Sequence, residues 1–280
     1  MTCTSPFLVA IKPSGYQEVP CGRCRSCKVA RAREWATRCV HEASMWSQNG
    51  FTTLTYRDED LPLNSSLDIT EFTKFWKRLR KAVDPKKFRY YACGEYGEQM
   101  GRPHYHIIVF GLAPCSCKNH RPDLLCDCES RSAIFKAWGH GGVDRVGSVT
   151  YDSARYTADY IHKASVSGEE ACFGRSSPFN VMSKGIGLSY ILKNYYQLRE
   201  QKGVTIHGAQ VGLPRYYVKK LKLAAGIDYA DLPKAPSKVR GIWHGMPLKL
   251  VDECILKQPA RDQRNLDIIA RMSTYKKGRM

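Results

Sequence analysis

The amino-acid sequence predicts an α+β fold, a ferredoxin-like (RRM-like) antiparallel sheet with helices on one face. Two observations predict it. Short runs rich in β-branched and aromatic residues alternate with amphipathic segments of helical period. Their order along the chain is strand, helix, strand, strand, helix, strand. In that order the helices cover one face of the sheet and leave the other face free to hold a site.

Each predicted element has a local signal. Phe51 to Tyr56 is a β-branched and aromatic run, typical of a strand. Asp68-Ile69-Thr70-Glu71 is an N-cap signal that resembles a capping box, and apolar residues follow it at helical spacing. In chain order, the predicted elements are a helix over 28–48, a strand over 51–56, a helix over 68–83, strands over 88–93 and 104–110, a helix over 131–138, a strand over 142–149, helices over 153–163 and 186–200, and a basic helix or tail over 265–280.

Length and composition predict one domain with appendages, because 280 residues are enough to bury a full core. We assign residues 1–50 to a Cys-rich, zinc-binding N-terminal segment with a basic helix. Residues 51–200 form the central domain, with a Cys-rich insertion at 112–129. Residues 201–280 form a basic C-terminal region.

The chain is strongly basic, with a formal net charge of +18. Residues 201–280 contribute 16 basic against 6 acidic side chains, more than half of that excess. Such a charge predicts a polyanion as partner, and nucleic acid is favoured. No run of about 18 apolar residues and no N-terminal signal for secretion is found, so we expect a soluble cytoplasmic protein with no membrane partner.

Twelve cysteines without a secretion signal favour metal binding over a disulfide framework. They form two clusters that are spaced for a structural zinc ion, and the alternative for both is unligated thiols in a reducing cell. A metal would also explain order in a loop from Leu112 to Glu129 that has no elements of its own. The clusters are Cys3, Cys21, Cys24 and Cys27, and then Cys115, Cys117, Cys126 and Cys128.

A second kind of metal site is predicted from His104 and His106, which head a strand-like apolar run. Side chains at i and i+2 of a strand point to the same face, so both imidazoles can reach one ion. Glu95 lies nine residues upstream and returns close to the pair if the two segments form a hairpin; Glu98 is an alternative carboxylate. Two imidazoles and one carboxylate leave positions open for water and substrate, as in a catalytic site, and they permit zinc, manganese or magnesium.

A helix with Ser153 as its predicted N-cap follows, with Tyr156, Tyr160 and Lys163 at i, i+4 and i+7 on one face. Small and apolar residues lie on roughly the opposite face, which is the face that we expect to be buried. A stripe of aromatic residues is more often part of a core than of a catalytic site. The lysine on the same face favours the catalytic interpretation.

These motifs resemble those of the rolling-circle replication initiators called HUH endonucleases, after their histidine, hydrophobic residue, histidine sequence. The resemblance is strongest to the initiators of gokushovirus-type microviruses and covers about residues 20–200. The motifs in this order are Phe51-Thr52-Thr53-Leu54-Thr55-Tyr56, Gly94-Glu95-Tyr96-Gly97, Arg102-Pro103-His104-Tyr105-His106 and Tyr156-x3-Tyr160-x2-Lys163, with Cys21-Gly22-Arg23-Cys24-Arg25-Ser26-Cys27 before them.

The resemblance implies that residues 51–200 form an HUH endonuclease domain that holds magnesium or manganese on Glu95, His104 and His106. It implies that a tyrosine nicks single-stranded DNA at a replication origin, leaving a 5′-phosphotyrosine link and a free 3′-hydroxyl, and that the enzyme later rejoins the strand. Lys163 would hold the phosphate or assist the tyrosine. Since the chain has no Gly-x4-Gly-Lys-Ser/Thr motif, a host helicase and a host polymerase are expected as partners, in the cytoplasm of a bacterial cell.

Two other functions stay open at this level. The first is a non-enzymatic, zinc-stabilised DNA-binding protein in which the histidine pair is a further structural site. The second is metal-dependent hydrolysis with water as the nucleophile, which leaves the two tyrosines and the lysine without a role. A covalent protein–DNA adduct distinguishes the leading function from both.

Overall fold

A computed structural model describes most of the chain. The described residues are 3–11, 15–97, 100–116, 128–144, 146–164, 174–194, 197–198, 203–206, 208–225, 242–243 and 246–247. The chain divides into two compact units, one of residues 31–193 and one of residues 1–30 with 194–280.

The helices and strands follow one another in a regular order. They are β1 (Phe7–Ile11), β2 (Gly15–Val19), α1 (Arg25–Ala43), β3 (Asn49–Thr55), α2 (Ile69–Ala82), β4 (Arg89–Tyr96), β5 (Pro103–Phe110), α3 (Glu129–Trp138), β6 (Gly147–Ser148), α4 (Tyr151–Ala164), β7 (Phe179–Met182), α5 (Leu188–Lys193), β8 (Val204–Ile206), β9 (Ala209–Val211), α6 (Arg215–Ala225), β10 (Ile242–Trp243) and β11 (Met246–Pro247). The sequence therefore encodes the mixed α+β class that its periodicity predicts.

A five-stranded antiparallel sheet forms the centre of the larger unit, in the order β6-β3-β5-β4-β7. Helix α2 joins β3 to β4, but these strands are not neighbours, because β5 returns from β4 and pairs between them. This is the split arrangement of strand, helix and strand that the predicted element order requires. The strand β7 at the sheet edge was not predicted, since Phe179-Asn180-Val181-Met182 is too short to show a period.

One face of the sheet packs against α2 and α3. Alternate residues of β5, Tyr105, Ile107 and Val109, belong to the same buried cluster as the apolar stripe of α2. Phe72 of that stripe stacks on Tyr105 with ring centroids 4.3 Å apart. The stripe consists of Phe72, Phe75, Trp76 and Leu79, as its helical spacing predicts. Burial of these aromatic side chains holds α2 on the sheet.

The opposite face is also covered, so the prediction that helices lie on one face alone is wrong. Tyr91, Ile108 and Phe110 of that face form a buried cluster with small residues of α1 and α4. The small residues are Ala32, Ala36 and Cys39 of α1 and Ala154 and Ala158 of α4. Small side chains let both helices approach the strands closely. Helical period shows which side of α1 is apolar, but it does not show which face of the sheet that side meets.

Several element boundaries differ from the prediction. Helix α1 begins three residues earlier and ends five earlier than the predicted 28–48, and only Gly147–Ser148 of the predicted strand 142–149 joins the sheet ladder as β6. The helix predicted over 186–200 is represented by α5, Leu188–Lys193. The predicted basic helix or tail over 265–280 lies outside the described residues.

Ser153 is not the N-cap of α4, because the helix begins at Tyr151. The amide of Ser153 donates to the Thr150 hydroxyl at 3.1 Å, and the amide of Thr150 donates to the Ser153 hydroxyl at 2.9 Å. This reciprocal pair is the pattern of a capping box with Thr150 as the cap. Threonine and serine both serve in such positions, so the sequence did not distinguish them.

The smaller unit contains short hairpins and one helix. Strand β1 pairs with β2, β8 with β9 and β10 with β11, each antiparallel. Helix α6 carries four basic and no acidic side chains. Among the described helices of the whole chain, none combines the length and the apolar character that crossing a bilayer requires.

The N-cap of α2 generates a stability prediction. The Asp68 carboxylate accepts hydrogen bonds from the amides of Thr70 and Glu71 at 2.8 and 2.9 Å. We expect Asp68→Ala to lower the free energy of unfolding by about 1 kcal/mol, because two amides lose their acceptor. Urea titration followed by circular dichroism measures the change. Asp68→Asn keeps an acceptor and should stay near wild type; equal loss in both variants would contradict the capping role.

Candidate metal centre and active site

Three predicted ligands converge at one end of the sheet. In the antiparallel pairing of β4 with β5, Glu95 lies directly opposite His104 and Cys93 lies opposite His106. The three side chains Glu95, His104 and His106 therefore lie on one face. The Glu95 carboxylate oxygen Oε1 lies 2.7 Å from the Nε2 atoms of both imidazoles.

The other nitrogen of each imidazole also has a partner. His104 Nδ1 lies 3.2 Å from the backbone carbonyl oxygen of Arg102. His106 Nδ1 lies 2.9 Å from the hydroxyl oxygen of Thr53, on the neighbouring strand β3. Both rings are thus held in an orientation that directs Nε2 to the same carboxylate.

The electrostatics of this cluster favour positive charge beside Glu95. Glu95 and His106 are buried, and His104 is half-buried. Burial lowers the pKa of His104, but the hydrogen bond and the charge of Glu95 outweigh burial and raise it above its ordinary value. A buried carboxylate needs such compensation, and either a proton on the histidine or a metal cation can supply it.

The chemistry of the donors fits a divalent cation. One ligand atom from each of Glu95, His104 and His106 lies within 4.8 Å of the others. Two imidazole nitrogens and one carboxylate oxygen on one side of an ion leave its other positions for solvent and substrate. The alternative carboxylate Glu98 lies outside the described residues.

Tyr156 is the predicted nucleophile that lies at this centre. Its ring meets the ring of His106 edge-on, with centroids 4.9 Å apart. It also meets Phe51 edge-on at 6.4 Å. The residue is 44% exposed, so it can be reached from solvent. The backbone of α4 continues through Tyr160 and Lys163, but the side chains of both lie outside the described part of the chain.

Phe51 and Thr53 are neighbours of the site that the sequence did not assign to it. Phe51 stacks near His106 with centroids 6.1 Å apart, and Thr53 pairs with His106 across the ladder. Residues at alternate positions of a strand share a face. The signal that could have found them is this alternation in Phe51-Thr52-Thr53, once the partner strand is known.

Comparison with known proteins is consistent over this region. A family model of phage replication-associated proteins, the ORF2 type, matches residues 49–165. The chain is 34% identical over 209 residues to "Replication-associated protein VP4" of Bdellovibrio phage phiMH2K, covering 71% of this chain and 65% of that protein. It is 32% identical over 240 residues to "Replication-associated protein ORF4" of Chlamydia phage 1, covering 79% of this chain and 60% of that protein.

A third relative, "Replication-associated protein ORF2" of Spiroplasma virus 4, is 32% identical over 210 residues, covering 72% of this chain and 65% of that protein. The chain belongs to this family of phage replication-associated proteins. It spans 60–65% of the length of these relatives. No solved structure matches it significantly.

The matched segment of this replication-associated protein runs from the first residue of β3 to just beyond α4. It therefore contains Glu95, His104, His106 and Tyr156. The N-terminal cysteines lie before it, and so they are a separate feature of the chain.

Four N-terminal cysteines of the replication-associated protein lie together in the smaller unit. The sulfurs of Cys3 and Cys24 are 3.8 Å apart, and those of Cys21 and Cys27 are 4.0 Å apart. All four sulfurs lie within 4.8 Å of one another. The predicted fourth residue, Cys3, therefore reaches the Cys21-x2-Cys24-x2-Cys27 turn although it precedes that turn by a whole hairpin.

Backbone amides stabilise negative charge on these sulfurs. The amide of Cys21 donates to Cys3 Sγ at 3.2 Å, and the amide of Cys24 donates to Cys21 Sγ at 3.3 Å. Burial raises the pKa of Cys24, but hydrogen bonds from Thr4 and Cys27 outweigh burial and bring it to about 6. Thiolates are the form in which cysteine binds metal.

The second predicted cysteine cluster is seen only in part. Cys115 and Cys128 have their sulfurs 3.2 Å apart, and Cys128 precedes the first residue of α3. The other two predicted members, Cys117 and Cys126, lie outside the described residues. The structure therefore joins the two ends of the insertion at 112–129.

The charge balance at the centre predicts a pH effect in protein without added divalent metal. Since Glu95 raises the pKa of His104, the protonated ring stabilises the fold below about pH 6.5, and this stability is lost as pH rises through the folded pKa. In Glu95→Gln, burial alone remains and should move that pKa below its ordinary value. NMR titration of the His104 ring protons measures both midpoints. Glu59→Gln, at an exposed carboxylate, should leave the midpoint unchanged; an equal midpoint in Glu95→Gln and wild type would contradict the assignment.

Proposed function

We propose that this protein is an HUH-type replication initiator that nicks single-stranded origin DNA with a tyrosine nucleophile. The observation that carries the proposal is the half-exposed Tyr156 ring, 4.9 Å from the ring of His106, beside the converging Glu95, His104 and His106. A nucleophile next to a cation site, open to solvent on one side, suits attack on a phosphodiester. In this proposal residues 49–165 form a ferredoxin-like HUH endonuclease domain.

The bond changes in the proposed reaction balance without an external energy source. The Tyr156 oxygen attacks phosphorus, a phosphotyrosine bond to the DNA 5′ end forms, and the bond from phosphorus to the 3′ oxygen breaks. The tyrosine loses its proton, and the leaving oxygen gains one to become a 3′-hydroxyl. One phosphodiester replaces another, so the reverse reaction can rejoin the strand.

The side chains of this centre have separate parts in that reaction. A tyrosine hydroxyl is a weak nucleophile at neutral pH. A magnesium or manganese ion, when bound, would polarise the scissile phosphate and offset the charge that develops on it. Glu95, His104 and His106 would hold that ion, and the packing of Tyr156 against His106 and Phe51 keeps the nucleophile beside it.

A second tyrosine supports repeated cleavage. Tyr160 follows Tyr156 by four residues on α4, a spacing that places two side chains on one side of a helix. One tyrosine would keep the first 5′ end while the other cuts the regenerated origin. Lys163 would hold the phosphate or assist a tyrosine as a nearby cation.

The net charge of +18 supports single-stranded origin DNA as the partner, since phosphate neutralisation by basic side chains provides affinity. The relatives are named replication-associated proteins of phages, so we propose that a free 3′-hydroxyl made by this protein primes a host polymerase. A host helicase would separate the strands. The site of action would be the cytoplasm of the infected bacterium.

The four N-terminal cysteines support a structural zinc site in the same proposal. Four sulfurs about 2.3 Å from a tetrahedral zinc are about 3.8 Å from each other. The measured separations of 3.8 Å for Cys3 and Cys24 and 4.0 Å for Cys21 and Cys27 agree with that geometry. Such a site would tie the ends of the β1–β2 hairpin together, because Cys3 precedes it and Cys21 follows it. We extend zinc binding to Cys115, Cys117, Cys126 and Cys128 as a second proposed site.

A covalent adduct tests the nicking function. With a single-stranded origin oligonucleotide and manganese, wild-type protein should form a denaturation-resistant, 5′-linked adduct. His104→Ala and EDTA should each reduce it strongly, because the ligand set or the ion is lost. Tyr156→Phe and Tyr160→Phe should each reduce adduct or restrict it to one tyrosine, as mapped by mass spectrometry.

Tyr151→Phe is the matched control, because Tyr151 lies on the same helix but packs against the buried cluster of α1 and the sheet. It should keep wild-type adduct formation. Cleavage without any adduct would favour water as nucleophile, and DNA binding without cleavage would favour the non-enzymatic function. Unreduced adduct in both Phe variants would show that α4 does not carry the nucleophile.

Metal analysis tests the zinc site. Protein purified with zinc should retain at least one zinc per chain, and Cys24→Ser should lower the zinc content by about one equivalent, because one of four thiolates is lost. Inductively coupled plasma mass spectrometry measures it. Cys39→Ala is the control, since Cys39 is fully buried in the core of the larger unit. An unchanged zinc content in Cys24→Ser would overturn this site.

A further inference from the structure

The two imidazoles of the proposed metal centre are oriented by partners of different kinds. His104 Nδ1 lies 3.2 Å from the backbone carbonyl of Arg102, its own neighbour along β5. A carbonyl oxygen can only accept, so it selects the form of His104 with a proton on Nδ1. His106 Nδ1 instead lies 2.9 Å from a side chain, the hydroxyl of Thr53.

The position of Thr53 follows from the register of the sheet. Thr53 lies directly opposite His106 in the β3–β5 ladder, and Thr55 lies directly opposite His104. Both threonines point to the face of the metal centre. Their hydroxyls differ, because Thr55 Oγ1 donates to the carbonyl of Gly142 at 3.3 Å, whereas Thr53 Oγ1 lies against the histidine.

We infer that Thr53 is a positioning residue of the metal centre, which holds the His106 ring with Nε2 directed at the ion. This inference rests on the proposed function, since it assigns a role toward the same metal. When Thr53 Oγ1 accepts from Nδ1–H, the proton stays away from Nε2, and Nε2 keeps its lone pair for the ligand bond.

Two features make this hydroxyl effective. The backbone of Thr53 is fixed by the β3–β5 pairing and by a hydrogen bond from the amide of Asp144 to its carbonyl oxygen at 3.0 Å. Threonine also has a branched Cβ, which restricts χ1 and holds the hydroxyl in place. The ring of Phe51 stacks near His106 at 6.1 Å from the same strand and limits its movement on that side.

The orientation of His106 bears directly on the nucleophile. The His106 ring contacts Glu95 through Nε2 and meets the Tyr156 ring edge-on. A rotated imidazole would move a ligand atom off the ion and remove the surface against which Tyr156 packs. Thr53 thus connects the motif on β3 to both halves of the site.

The test is manganese affinity, measured by isothermal titration calorimetry on the full chain without DNA. Thr53→Val keeps the shape of the side chain but has no hydroxyl, and it should weaken manganese binding by about 10- to 100-fold. Thr53→Ser keeps the hydroxyl and should restore affinity to within about threefold of wild type, below the smallest loss that removal of such a hydrogen-bond partner produces.

Thr55→Val is the matched control, because Thr55 lies on the same strand and face but bonds to Gly142. Its affinity should equal that of wild type. Nitrogen NMR of the histidine rings in the manganese-free protein should also show an altered His106 tautomer in Thr53→Val but not in Thr55→Val. Circular dichroism confirms that each variant is folded.

Unchanged affinity in Thr53→Val would overturn the role of Thr53, and so would equal weakening in Thr53→Ser and Thr53→Val. If wild type itself binds no manganese while Glu95→Gln behaves identically, the metal centre of the proposed function is wrong, and the role of Thr53 falls with it. Loss in Thr53→Val with rescue in Thr53→Ser supports the inference.

Discussion

The pairing of β4 with β5 is the constraint on which the proposed active site depends. Its register sets Glu95 opposite His104 and keeps His106 two residues along on the same face. A slip by one residue would turn the carboxylate to the other face, where the aromatic stripe of α2 packs. That face is buried against Phe72, Phe75 and Leu79, so a charged side chain there would be strongly unfavourable. The hydrophobic core therefore protects the register, and the register assembles the ligands.

Gly94 contributes to the same constraint from within β4. A Cβ atom at this position would lie 3.1 Å from side-chain atoms of Leu67, Tyr105 and Phe179. Such contacts are tighter than ordinary packing, so a larger residue would push the strand away from the core. Glu95 is the next residue, and its position depends on how closely β4 lies against that core. The motif Gly94-Glu95 thus combines a packing requirement with a ligand.

The ligand pair was predictable from sequence because a strand has a period of two residues, so His104 and His106 must share a face once β5 is recognised. The approach of Glu95 required only a hairpin between adjacent segments. The contact of Tyr156 with His106 is different, since it depends on α4 crossing the face that was expected to be free. Helical period identified Ala154 and Ala158 as buried, but no local signal states which surface buries them. The role of Thr53 was missed for the same reason, because it needs the register of β3 against β5, and these strands are separated by about 50 residues.

Burial and exposure are divided across the site in a way that suits its chemistry. Glu95 and His106 are 4% exposed, whereas Tyr156 is 44% exposed. A carboxylate in a poorly solvated position interacts strongly with a cation, because water does not screen it. The same burial would make a free carboxylate costly, so the two imidazoles that contact it must carry or bind positive charge. A nucleophile in that buried position could not reach a phosphodiester of a bulky DNA strand. Tyr156 is instead held at the rim by ring contacts to His106 and Phe51, which fix its place without enclosing it.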